Sequence, residues 1–151
     1  MSYPSLLSDL KLFNPSILLC LDDFLLSKDM LFFSLVSLHN ERIGNPFINP
    51  LASPIQTQDH ILKEFPKTRV FFCEIDPLRD ACLQFIWRLK QLNVDLQAFR
   101  FKNWCHGVLN FDLKFSGIPE SHKSNLLNVQ WFREIFDYQG NNSRVSKYQI
   151  N

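Results

Sequence analysis

Glycine is scarce in this chain, and its scarcity excludes several kinds of site. The sequence has 151 residues but only four glycines, Gly44, Gly107, Gly117 and Gly140. Loops that cradle phosphate groups need several glycines close together, because glycine alone adopts the required backbone angles without strain. No such cluster exists here, so glycine-rich nucleotide-binding loops are excluded.

A strong charge of one sign is also lacking. The formal net charge at pH 7 is +1, from 16 Lys and Arg against 15 Asp and Glu, and the basic residues do not cluster. A protein that binds nucleic acid needs a basic patch to face the phosphates. The sequence therefore predicts no nucleic-acid partner.

Long uninterrupted hydrophobic runs are absent too. The most apolar stretch starts at Ser16, but Asp22, Asp23, Lys28 and Asp29 interrupt it. A membrane-spanning helix needs about 18 or more residues with few or no charges, so no transmembrane segment is predicted. The N-terminal sequence MSYPSLLSDL has no basic segment ahead of an apolar one, which argues against a secretory signal.

The four cysteines, Cys20, Cys73, Cys82 and Cys105, form no CxxC pair and have no histidine at zinc-binding spacing. Each lies among apolar or aromatic residues, which predicts reduced and mostly buried thiols. Such thiols are typical of cytosolic proteins. We therefore predict a cytoplasmic protein without a metal or cofactor, and the sequence leaves association with lipid droplets open.

What the sequence does contain is enough apolar material for one domain, 46% of the residues, including 15 Phe. The N-terminal third predicts the end of a strand that runs into a loop over residues 1–7, a helix over 17–26 and a second helix over 28–38. Three prolines between residues 44 and 54 predict an extended connection. Asp59 is the predicted N-cap of a short helix that follows.

The central segment predicts a β-strand, an α-helix and a second, parallel β-strand. TRVFFCEI, from Thr68, is a short run of aromatic and β-branched residues, as in a strand buried on both faces. A helix follows with Asp80 as its predicted N-cap, and VDLQAFRF then predicts a strand nearer the sheet edge. The apolar residues of this helix recur at helical spacing, at Cys82, Phe85, Ile86, Leu89 and Leu92.

The C-terminal part predicts one amphipathic helix over residues 125–139, which Gly140 ends. Its apolar face consists of Leu127, Trp131, Ile135 and Tyr138. Residues 1–140 are thus predicted to form one structured region, and the polar residues 141–151 a disordered tail.

Two residues at one edge of the predicted sheet are candidates for a catalytic site. Asp76 follows the first strand directly, and His106 lies a few residues beyond the second. Sites in open parallel sheets form outside the carboxyl ends of the strands, so a carboxylate and an imidazole would meet there. A hydrolytic triad needs this pair, because the acid orients the imidazole and the imidazole takes a proton from the nucleophile.

Each of these residues also has a simpler interpretation. Asp76 followed by Pro77 is what a helix N-cap and the first helical residue look like, although Asp80 competes for the capping position. His106 fits a surface turn before Gly107.

The remaining candidate side chains are predicted to have no catalytic role. Cys105 adjoins His106, but neighbouring side chains usually diverge, so a catalytic Cys–His pair is not expected. No partner is predicted for the other three histidines, which are His39, His60 and His122.

Six segments of the sequence carry a resemblance to a known family. In order they are YPSLL (3–7), NPSILLCLDDFLL (14–26), NPFINPLASP (45–54), ILKEFP (61–66), EIDPLRDACLQFIWRLKQLNVDLQAF (74–99) and CHGVLNF (105–111). They resemble the hormone-sensitive lipase family of α/β-hydrolases, most specifically in the DPLRD, NPF..PL and HG motifs. The resemblance implies an α/β fold class, with the final parallel strands and packed helices of an α/β-hydrolase.

The resemblance also implies functional roles. Asp76 matches the acid of the catalytic triad and His106 its base. Members of the family hydrolyse carboxylic esters, including acylglycerols, so an ester substrate and contact with a lipid surface are expected. The substrate-binding residues cannot be predicted from these motifs.

Two motifs of the family have no counterpart here, the G-x-S-x-G turn that carries the nucleophile and the HGGG-type loop of the oxyanion hole. Both precede the acid and the base in this fold, so the resemblance covers the C-terminal half of the domain. Loss of a triad nucleophile lowers turnover on the order of a million-fold. We therefore expect the chain alone to be inactive. The alternative is a non-catalytic, truncated paralogue that binds lipid or protein through residues 17–38.

Overall fold

The computed structural model describes Met1, Pro4 and residues 14–37, 44–113 and 117–136. The chain divides into two compact units, Met1–His106 and Gly107–Asn151. The helices and strands are α1 (Pro15–Leu19), α2 (Lys28–Ser37), α3 (Asp59–Leu62), β1 (Thr68–Ile75), α4 (Arg79–Gln91), β2 (Leu96–Cys105) and α5 (Pro119–Ile135), with 3₁₀ turns at Pro54–Gln56 and Val108–Phe111.

The predicted strand–helix–strand unit is confirmed. β1 and β2 are parallel neighbours, paired from Thr68 with Leu96 to Cys73 with Phe101, and α4 connects them. The first six residues of β1 are buried, as expected of a strand covered on both faces, whereas β2 is largely half-buried or exposed. The parallel arrangement brings the carboxyl ends of both strands to one edge.

Met1 lies beside β1 on the side away from β2. Its carbonyl accepts the Phe71 N–H at 2.9 Å, and its amino group donates to the Arg69 carbonyl at 2.6 Å. Met1 itself belongs to neither strand of the sheet, and most of the segment 1–7 lies outside the described residues. Burial lowers the pKa of the Met1 amino group.

α4 packs on β1 through its predicted apolar face. Cys82, Phe85 and Leu89 are each at most 1% exposed. They form a core cluster with Leu62 of α3 and Phe72 of β1, and the ring of Phe65 meets that of Phe85 edge-on. The apolar face of α4 therefore holds this helix against β1, the strand that ends at the candidate site.

The helix predicted over residues 17–26 is wrong in length, because α1 ends at Leu19. The chain turns instead where the Asp23 carboxylate accepts the N–H groups of Leu25 and Leu26. Such a side-chain contact competes with helical hydrogen bonding. α2 begins at Lys28 as predicted and ends at Ser37.

The connection predicted to be extended over residues 44–54 forms turns. The Asn45 and Asn49 side chains accept the N–H groups of Phe47 and Leu51, two residues on. Asparagine stabilises turns in this way, and that effect outweighed the extended preference expected from the prolines.

Two capping predictions are also wrong. Gln58 is the N-cap of α3, and Asp59 is its first residue, where it accepts a hydrogen bond from Arg88 Nε at 2.8 Å. Leu78 holds the N-cap position of α4. Asp80 instead accepts the Ser16 N–H at the start of α1, at 2.8 Å.

In the C-terminal unit, α5 starts at Pro119, ahead of the predicted residue 125, because proline is well suited to the first helical turn. Trp131 is buried as predicted. Tyr138, Gly140 and the tail predicted to be disordered, 141–151, lie outside the described residues. Within the part of the chain that the structure describes, no helix combines the length and apolarity needed to cross a membrane.

Candidate active site

Asp76 follows β1 directly and is only 1% exposed. Its Oδ1 accepts the N–H of Leu78 at 2.8 Å, in the turn that leads into α4. Its Oδ2 lies 2.9 Å from Nδ1 of His106. Asp76 is therefore not the N-cap of α4, but each of its carboxylate oxygens has a partner, one in the turn before α4 and one on the His106 ring.

A bulge in β2 brings His106 to the end of β1. Cys73 pairs with Phe101 but Ile75 pairs with Cys105, so β2 carries two extra residues over this interval. Asn103 in the bulge has a left-handed backbone, φ 60°, and its N–H donates to the Glu74 carboxylate at 2.8 Å. Bulges of this kind redirect the chain near active sites.

Asp23 holds the backbone of His106. Its Oδ2 accepts the His106 N–H at 3.2 Å, and its Oδ1 accepts the N–H groups of Leu25 and Leu26 at 2.9 and 2.8 Å. Asp23 is 8% exposed. From the sequence, Asp23 was predicted only to interrupt an apolar stretch, because its contact with His106 joins residues 83 positions apart.

An apolar cavity of about 280 Å³ lies next to Pro77, the residue after Asp76. This volume is near the lower end of the roughly 300–1,000 Å³ of ordinary ligand pockets. Its other walls come from side chains between residues 17 and 32. Most of these side chains are aliphatic or aromatic, namely Ile17, Leu21, Leu26, Leu31 and Phe32. The site thus combines a buried carboxylate, a half-buried imidazole in contact with it and a nearby apolar space.

Comparison with known proteins decides the family. The sequence model of the α/β-hydrolase fold family matches residues 1–110, which include Asp76 and His106. This chain belongs to the α/β-hydrolase family. The predicted recognition and fold class are therefore confirmed.

Relatives place this α/β-hydrolase with hormone-sensitive lipase and similar proteins. It is 33% identical to human arylacetamide deacetylase-like 3 over 89 residues, which are 58% of this chain and 22% of that protein. It is 31% identical to hormone-sensitive lipase of Ictidomys tridecemlineatus over 68 residues, which are 45% of this chain and 8% of the lipase.

A solved structure shows the same fold. Carboxyl esterase 2 of Tuber melanosporum superposes on 89% of this chain with a TM-score of 0.75 and 22% sequence identity, over 43% of the esterase. This α/β-hydrolase chain therefore spans less than half the length of that esterase and at most about a fifth of the curated relatives named above.

A second histidine–carboxylate pair in this α/β-hydrolase differs from the first in its burial. His122, for which no partner was predicted, has its Nδ1 3.1 Å from Asp112 Oδ1. The two side chains are 55% and 30% exposed, against 21% and 1% for His106 and Asp76. Hydrogen bonds from Asn125 and His122 lower the pKa of Asp112. Water screens the exposed pair, so it orients its imidazole less firmly.

The cysteines of the α/β-hydrolase are free thiols, as predicted, and three of the four are buried. Burial, followed by the charge of Asp23, raises the pKa of Cys105, the neighbour of His106. A raised thiol pKa lowers the fraction of reactive thiolate. This supports the prediction that Cys105 is not a nucleophile.

Proposed function

We propose that this α/β-hydrolase chain supplies the acid and the base of a serine carboxylic-ester hydrolase, with Asp76 as the acid and His106 as the base. The observation that carries the proposal is the 2.9 Å contact between His106 Nδ1 and Asp76 Oδ2, with Asp76 almost fully buried. In such surroundings a charge-assisted hydrogen bond is strong and keeps the ring in one orientation.

The roles follow from the geometry of the pair. The carboxylate can only accept, so Nδ1 carries a hydrogen and donates a hydrogen bond to Asp76, which leaves Nε2 as the basic atom. Nε2 takes the proton of a serine hydroxyl as the serine attacks the ester carbonyl, and Asp76 stabilises the imidazolium that results. His106 then gives the proton to the departing alcohol, and a water repeats the cycle on the acyl-enzyme.

The nucleophile and the oxyanion hole come from outside this sequence, since no G-x-S-x-G or HGGG-type motif occurs in it. The cavity beside Pro77 is lined mainly by aliphatic and aromatic groups, so it fits the apolar acyl or alcohol part of an ester. An uncharged ester such as an acylglycerol is thus the favoured substrate class.

A chimera tests the proposal. In it, this chain replaces the part of the T. melanosporum esterase on which it superposes, so that the esterase supplies the missing sequence. The chimera is expected to hydrolyse p-nitrophenyl butyrate. His106→Ala should lower kcat by about 10⁴-fold or more, because the serine then has no base.

His122→Ala is the matched control, since His122 also contacts a carboxylate but is exposed. This variant should retain the activity of the parent chimera. Equal rates for His106→Ala and the parent would remove His106 from the mechanism.

A second function is favoured by a different observation. Large apolar side chains within residues 17–38 are exposed, including Leu19 at 76%, Phe24 at 84% and Phe33 at 73%. Exposed apolar groups in one segment are typical of surfaces that bind lipid or protein. The chain would then act as a non-catalytic binding module, and a folded but inactive chimera would favour this function over the first.

A further inference from the structure

We infer that Asp23 is a positioning residue, which binds the backbone of His106 and so keeps its imidazole hydrogen-bonded to Asp76. The inference rests on the proposed role of His106 as the base. Asp23 touches no reacting atom in this scheme, and it acts on the reaction by positioning His106.

The burial of Asp23 requires compensation, because an ionised carboxylate loses the solvation that water provides. Three backbone N–H groups provide that compensation, those of Leu25, Leu26 and His106. Two of them belong to the local turn and one to a residue 83 positions away. Asp23 therefore fastens the segment after α1 to the segment after β2.

His106 is held at both of its ends as a result. Asp23 binds its backbone N–H, and Asp76 binds Nδ1 of its ring. Only two side-chain torsions separate these points, so fixing both leaves the ring little freedom and gives Nε2 a defined direction. Misplacement of a reacting group by about 1 Å lowers rates up to about 100-fold.

The same carboxylate connects the base to the wall of the apolar cavity. Leu26, whose N–H binds Asp23 Oδ1, lines that cavity. Asp23 thus contacts both the backbone of the proposed base and a residue that lines the cavity.

Replacement of Asp23 by Asn separates the two roles of the residue. The amide oxygen of Asn still accepts the N–H groups of the turn, a role that asparagine performs well. Its NH₂ group would then face the His106 N–H, donor against donor, so this contact is lost. Asp22→Asn is the matched control, because it makes the same charge change at the exposed neighbouring position.

The test is proton NMR of this chain with ¹⁵N-labelled histidine, a readout independent of esterase activity. His106 is expected to give a slowly exchanging imidazole N–H signal, assigned by its absence from His106→Ala. In Asp23→Asn the exchange of this proton should be about tenfold faster or more, as expected for loss of a hydrogen bond to a charged group. Asp22→Asn should match the wild type.

An unchanged exchange rate in Asp23→Asn would overturn the inference. So would loss of the circular dichroism spectrum in that variant, since Asp23 would then be needed for folding itself. An inactive chimera with wild-type exchange behaviour at His106 would instead count against the proposed function and leave the positioning by Asp23 intact.

Discussion

Two carboxylates at this site each bind two separate segments of the chain. Asp76 binds the turn before α4 through one oxygen and the His106 ring through the other. Asp23 divides its oxygens in the same way, between a local turn and the His106 backbone. Asp76 and Asp23 are both buried, and burial strengthens the hydrogen bonds that they accept. The more exposed pair of His122 and Asp112 lacks this burial.

The thiols provide a prediction at the same scale. Burial, followed by the charge of Asp76, raises the pKa of Cys82 to about 12, so that about one molecule in ten thousand carries the thiolate at pH 8. Cys82 is 1% exposed. In the folded chain iodoacetamide should therefore label Cys105, which is half-buried, before Cys82.

Mass spectrometry of peptides from timed labelling checks this order. All four cysteines should react at similar rates in denaturant, which is the control for intrinsic reactivity. Labelling of native Cys82 as fast as Cys105 would show that the α4–β1 core is not closed around it.

At the scale of helices and strands, the elements that long-range packing stabilises could be predicted better than those shaped by local side-chain hydrogen bonds. The bounds of β1 and the apolar face of α4 were predicted correctly, because long-range packing selects the apolar patterns that the sequence displays. α1 and the connection 44–54 were not. Asp23, Asn45 and Asn49 end or bend the chain there by accepting local N–H groups, and hydrophobic patterns do not register such contacts.

The junction between α1 and α4 predicts a pH dependence of stability. Burial raises the pKa of Asp80, but the hydrogen bonds from Arg79 and Ser16 outweigh it, and the net pKa lies below its usual value. The stabilisation is therefore complete above the unfolded-state pKa of about 3.9 and is lost as the pH falls through the lower folded-state pKa.

Asp80→Asn should destabilise the chain at pH 7, and its difference from the wild type should shrink as the pH falls below about 4. Urea unfolding at several pH values measures this difference, with the exposed Asp22→Asn as the control. A difference between Asp80→Asn and wild type that grew toward low pH would contradict the assigned hydrogen bonds.

At the scale of the whole molecule, the chain is part of an α/β-hydrolase, and its fold brings Asp76 and His106 into contact. Asp76 and His106 could be predicted, because parallel strands with recognisable patterns bring their ends to one edge. Asp23, the Glu74 contact that holds the bulge, and the cavity could not. They depend on contacts between distant segments and on two extra residues in β2, for which the sequence contains no periodic signal.

The central claim is that Asp76 and His106 act as one catalytic unit, and a double-mutant cycle in the chimera tests it most directly. Asp76→Asn alone should lower kcat by about 10⁴-fold, because the imidazole loses its orientation and tautomer. In the presence of His106→Ala, Asp76→Asn should lower kcat no further, since there is no imidazole left to orient. A double variant whose loss equals the product of the two single losses would show that the residues act independently, and would contradict the claim.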